Sequence, residues 1–92
     1  MKHKFKIGDI VEIIDIWKTY PSHTPLARSM GLKRYVNTAW YDVEVCITER
    51  VGIIISCNYD QFVYGVSTNK QDILISEDGI KKISKIKAEL LK

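Results

Sequence analysis

The residues that could do chemistry in this chain crowd into one stretch. Between Trp17 and Tyr41 there is no acidic residue, while four cations (Lys18, Arg28, Lys33, Arg34), His23 and five aromatic rings (Trp17, Tyr20, Tyr35, Trp40, Tyr41) fall where propensity favours a loop. Those rings are over half of the nine aromatic residues in the chain. Lys and Arg pair with phosphates, and bases stack on Trp, Tyr or guanidinium planes, so the combination suits a ligand that is both anionic and flat. The functional expectation is nucleotide or single-stranded nucleic-acid binding through Trp17, Lys18, Tyr20, His23, Arg28, Lys33, Arg34, Tyr35 and Trp40. A plainer alternative stands beside it: the loop folds back, its rings plug the open end of a small core, and the Lys and Arg stems reach outward to water. A second basic run holds Lys81, Lys82, Lys85 and Lys87 with Ile83 and Ile86 between them. It could face nucleic acid, an anionic lipid surface or an acidic partner, or be the solvated side of a packed helix.

Catalytic groups are scarce. The two histidines, His3 and His23, lie in no metalloprotease or nucleophile-elbow motif, and no glycine-rich phosphate loop is present. Asp9, Glu12 and Asp15 are close in sequence, yet strand alternation sends Glu12 to the face opposite the other two, which suits turn caps and surface carboxylates better than a paired-carboxylate site. Glu77-Asp78-Gly79 reads as a turn, with Asp side-chain hydrogen bonding and a positive φ at Gly. No enzyme, no cofactor and no metal centre are expected.

The elements that must position the loop are short strands. The 92 residues make one domain, since a chain this short cannot bury two cores. Its composition, 46% hydrophobic and 27% charged, is that of a folded globule. Residues 10–16 form a β-branched run, apolar on both faces. Val43, Val45 and Ile47 alternate with polar partners, as a half-buried strand requires. Further strands are expected over 51–57, 62–66 and 72–76, joined by turns at Asn58-Tyr59-Asp60 and Ser67-Thr68-Asn69-Lys70. Thr24-Pro25 starts a helical turn or two that Gly31 stops, and residues 84–92 form an amphipathic tail helix with Ile83, Ile86 and Leu90 on one face. Cys46 and Cys57 read as buried free thiols. No apolar run approaches the roughly 20 residues of a membrane-spanning helix, and the N-terminus has no signal-like apolar core, so a cytoplasmic chain with no membrane partner is expected.

These segments carry a resemblance. Phe5-Lys6-Ile7-Gly8-Asp9-Ile10-Val11-Glu12-Ile13 resembles the opening strand of SH3-like small barrels, Val51-Gly52-Ile53-Ile54 their central strand, and Tyr64-Gly65-Val66 with residues 72–83 their closing hairpin and short final strand. Met30-Gly31-Leu32 resembles the stretch that ends the loop helix in small phage proteins of this kind. The resemblance implies a mostly β fold: a small antiparallel barrel of about five strands, of the type shared with KOW modules, with a long loop at 17–41 and a tail helix at 84–92. It implies a fold more than a function. A phage origin would place the protein in the host cytoplasm.

Charge is unevenly spread: residues 1–35 carry seven basic against three acidic side chains, residues 36–79 two against seven, and residues 80–92 five against one. Basic ends with an acidic middle allow copies to associate, and a homo-oligomer could gather several loops into a sponge for a nucleotide messenger. A rival partner is a host protein, with Trp17, Tyr20, Leu26, Met30 and Trp40 as apolar anchors inside a basic rim.

Overall fold

The structure, a computed structural model, describes residues 4–20, 25–33 and 49–91. The first strand, β1 (Ile10–Ile13), turns Val11 and Ile13 into the core and leaves Ile10 and Glu12 half-buried on the other side. It stops there, three residues short of the strand expected over 10–16. The Gly79 carbonyl accepts from both Ile14 N (2.8 Å) and Asp15 N (3.2 Å), which bends the chain, and the Asp15 carboxylate then caps a 3-10 turn at Ile16–Lys18 by accepting from Trp17 N at 3.0 Å. The chain re-enters the sheet as β2 (Thr19–Tyr20), so residues 17–20 belong to ordered elements and not to the long loop.

The remaining strands are β3 (Val51–Asn58), β4 (Val63–Ser67) and β5 (Asp72–Ser76), each largely apolar and rich in β-branched residues, and the short β6 (Ile80–Lys82), of which Ile80 alone is buried. All pairs are antiparallel, and the order is β2-β5-β4-β3-β1-β6. Among the described residues the ladder is a six-stranded sheet that does not close, in place of the five-stranded barrel expected; the alternating segment at 43–48 lies outside them. The sheet is nonetheless strongly curled. β1 and β2 stand four strand spacings of about 4.8 Å apart in the order, yet only residues 14–18 join them, three in a 3-10 turn rising about 2 Å per residue. A flat sheet would leave that link too short.

Inside the curl lies the core, built on Val11, Ile13, Ile54, Val66, Ile75 and Tyr64. Each such aliphatic side chain contributes about 1.5–3 kcal/mol through burial. Tyr64 is completely buried, meets the Phe5 ring edge-on at 5.3 Å between centroids, and donates its hydroxyl to Glu77 Oε2 at 2.6 Å. A second cluster forms on the outer face, where α1 (Pro25–Ser29) lays Ala27 and the following Leu32 against Val63 and Leu74. The hairpin β4–β5 is therefore covered on both sides. Gly65 makes room for this, since a Cβ there would sit 2.7 Å from Leu32 Cδ2. Pro25 opens α1 as the sequence predicts, and Gly31, at φ 82°, ends it.

The C-terminal helix α2 (Lys85–Leu91) is capped by Ser84, whose Oγ accepts from Lys87 N at 3.1 Å. It rests on the body through Ala88. Ile86 and Leu90 point away, so the apolar face foreseen for this helix is not its packing face. Cys57 is a half-buried free thiol packed against the core, and Cys46 lies outside the described residues.

Gly79 is tight for reasons of space and not of φ: a Cβ would lie 2.8 Å from both Ile75 Cδ1 and Lys18 Cβ. Gly79→Ala should cost about 1–3 kcal/mol in a urea titration. Burial, followed by the hydrogen bond to Glu77, pushes the Tyr64 phenol well above its ordinary value. The unfolded phenol ionises first, near pH ~10, so the contribution of this group is intact below that pH and is lost as pH rises through it. Tyr64→Phe should lose about 1 kcal/mol at neutral pH and show a shallower decline in urea midpoint between about pH 9 and 11 than the parent.

Candidate functional site

The aromatic and basic positions divide between two halves of the outer surface. Trp17 and Lys18 lie in the 3-10 turn and Tyr20 at the end of β2; the rings are 56% and 46% exposed, and Lys18 is exposed beside them. The alternative in which these two rings plug the core is therefore corrected: Ile16 and Thr19 turn inward instead, with the Thr19 hydroxyl donating to the Ile16 carbonyl at 2.7 Å. Strand alternation explains the choice. Thr19 pairs with Ile75 on the inner face, and Tyr20 pairs with Leu74 on the outer face.

Leu74 is the residue on which α1 packs, so Tyr20 shares its layer with that helix. Arg28 and Lys33 are exposed at the C-terminal end of the same helix and just beyond it. Lys33 is held there through its backbone, whose N–H donates to Asp72 Oδ2 at 3.1 Å, leaving the side chain to solvent. The fold thus brings Tyr20, Arg28 and Lys33 to one side of β4–β5, with Trp17 and Lys18 on the turn that feeds it. His23, Arg34, Tyr35 and Trp40 lie outside the described residues. Leu26 and Met30, proposed anchors for a protein partner, are partly buried against the α1 cluster.

The second basic group divides across β6: Lys81 and Lys87 lie with Glu12 on the outer face, and Lys82, paired with buried Val11, lies on the opposite face with Asp9. Lys81 Nζ and Lys87 Nζ approach Glu12 Oε1 at 3.5 and 3.7 Å, and Lys82 Nζ approaches Asp9 Oδ1 at 3.6 Å. The ammonium groups remain about half exposed, so each pair is worth well under 1 kcal/mol. Asp9 is itself buried and also accepts from Lys6 N at 3.1 Å, closing the turn before β1. Asp9, Glu12 and Asp15 thus serve separate local structures and do not converge. Among the described residues no group of three His, Cys, Asp or Glu could hold a metal ion.

A groove of about 800 Å³ escaped the sequence. It runs between α2 and β3, with Ile10, Ile53 and Ile55 as its apolar floor and Arg50 and Lys85 at its margins. Glu49 on its rim accepts from Asn69 N at 2.9 Å, tying the start of β3 to the β4–β5 loop. The alternation Ile53-Ile54-Ile55 carries the only signal for it: Ile54 is fully buried and its neighbours face out, but a run apolar on both faces does not say which face lacks a cover. α1 and α2 cover different halves of the outer sheet face, so among the described residues Lys18, Arg28 and Lys33 do not merge with the C-terminal lysines into one patch. No protein-family model, curated protein or solved structure matches the chain.

Proposed function

We propose that this protein is a non-enzymatic binding domain for a phosphate-bearing ligand with flat bases, single-stranded RNA or DNA first and a small nucleotide second. The exposure of the Trp17 and Tyr20 rings beside Lys18 carries the proposal. Two large aromatic side chains are left in water on the turn and strand while their smaller neighbours Ile16 and Thr19 turn to the core, and stacking on unpaired bases is the contact that such rings offer. Arg28 and Lys33, on the layer that Tyr20 shares with α1, supply the phosphate contacts. A protein-docking surface is less well supported, because Leu26 and Met30 are already engaged by the core.

The finer fold reading, an SH3-like barrel, belongs to the same proposal. It is supported by the β3–β4–β5 meander, the 3-10 turn at Glu77–Gly79 and the short β6 that returns to β1.

Binding of a fluorescent single-stranded oligonucleotide should be strong at low salt and fall steeply as salt rises, by about 0.7 in log–log slope for each phosphate neutralised. Trp17→Ala and Tyr20→Ala should each weaken it by about 1–3 kcal/mol. Because both rings are exposed, the same substitutions should change folding stability by less than about 0.5 kcal/mol. Arg28→Glu with Lys33→Glu should flatten the salt slope. Affinity untouched by Trp17→Ala and Tyr20→Ala, or insensitive to salt, would sink the proposal.

A further inference from the structure

Ile86 and Leu90, at 77% and 79% exposure, are the most exposed of the large hydrophobic side chains described. Four residues apart, they form one ridge along the solvent side of α2. Cations lie at the base of this ridge: Lys85 and Lys87 on the helix itself, and Lys81 on β6, which shares with Glu12 the face that α2 covers, whereas Lys82, opposite buried Val11, lies on the other face. Of the carboxylates near them, Glu12 has its Oε1 buried beneath Lys81 and Lys87, and Glu89 is exposed on α2 itself, so three lysines stand against one exposed carboxylate and the charge turned outward is net positive. We propose that α2 is an interfacial anchor that docks the protein on an anionic lipid surface, with Ile86 and Leu90 entering the headgroup boundary and the lysines meeting lipid phosphates and carboxylates.

Charge and shape select this occupant. A twofold contact between two copies of the ridge would bring Lys81, Lys85 and Lys87 of each copy together against one exposed Glu89 apiece, which opposes self-association. Nucleic acid satisfies the lysines but leaves two aliphatic side chains in water. A protein partner needs a pocket shaped to a protruding ridge, whereas a bilayer admits one by parting its headgroups, and the attraction of lysines to anionic lipid adds to the gain from apolar insertion. The expectation of no membrane partner rested on the lack of a spanning segment. Among the described residues no helix is long and apolar enough to span, which does not bear on a helix lying in the interface.

The test uses the full chain and sedimentation with two sets of vesicles, one of phosphatidylcholine alone and one in which roughly one-third of the lipid is phosphatidylserine. The protein should sediment with the anionic vesicles only, and progressively less as salt rises. Ile86→Asp with Leu90→Asp should lower the partition coefficient by about tenfold or more, as should Lys85→Gln with Lys87→Gln. Thermal melting of both variants at the parent temperature would show that the fold is intact. Oligonucleotide binding should be unchanged by Ile86→Asp with Leu90→Asp, which separates this proposal from the one above. Failure to bind anionic vesicles, equal binding to phosphatidylcholine alone, or binding that survives loss of the two aliphatic side chains would overturn it. A dimer in light scattering that reverts to monomer in the aspartate variant would also overturn it, by assigning the ridge to a second copy.

Discussion

The crossing of residues 14–18 over Gly79 holds the two ends of the sheet together. One carbonyl there accepts two consecutive amides, the site has no room for a Cβ, and the bend it imposes ends β1 inside the apolar run and lets the chain re-enter the sheet as β2 at a different place. Without the bend, β1 would continue outward and β2 would have no reason to meet β5. The curl of the sheet, the enclosure of Tyr64 and the outward aim of Trp17 all follow from a link that is short and fixed at both ends. Lys18 packs its Cβ stem against Gly79 at the same crossing, so the backbone that forms the bend also presents the cation beside the exposed rings.

From this constraint comes a division of the outer surface. One half of the sheet, over β4 and β5, is covered by α1, a helix so short that it depends on Ala27 and Leu32 for its existence. The other half, over β1 and β3, is only partly covered by α2, which leaves the isoleucine-floored groove and the Ile86–Leu90 ridge. Aromatic rings with cations mark the first half, and aliphatic side chains with cations mark the second. These are different chemistries, suited to stacking in one case and to apolar insertion in the other.

Much of this architecture was legible in the residues. The β-branched runs at 51–57 and 72–76 could form little but strands, Pro25 and Gly31 bracket α1, and the carboxylates of Asp9 and Asp15 serve as caps. What could not be read depends on contacts between distant parts of the chain. Residues 10–16 look like one strand because the Gly79 carbonyl that breaks them is far along the sequence. Lys81, Lys82 and Lys87 look like a free basic patch because only the β1–β6 register shows that Glu12 and Asp9 lie under them. The exposure of Trp17 and Tyr20 turned on strand parity after a bend, and the face left open on β3 turned on where a short tail helix came to rest.

The double cover on the β4–β5 hairpin sets an order of local opening. Its strands have core on one side and α1 on the other, so exposing their amides to solvent requires disrupting both clusters, close to unfolding the whole domain. By contrast, α2 is fastened mainly by Ala88 and by the half-exposed Lys87–Glu12 pair, so it can detach and return while the sheet stays intact. Amide protons would then exchange over widely separated timescales within one small domain, fastest in the tail helix and slowest in the central hairpin. The domain combines a rigid frame with an appendage that can adjust to whatever it meets.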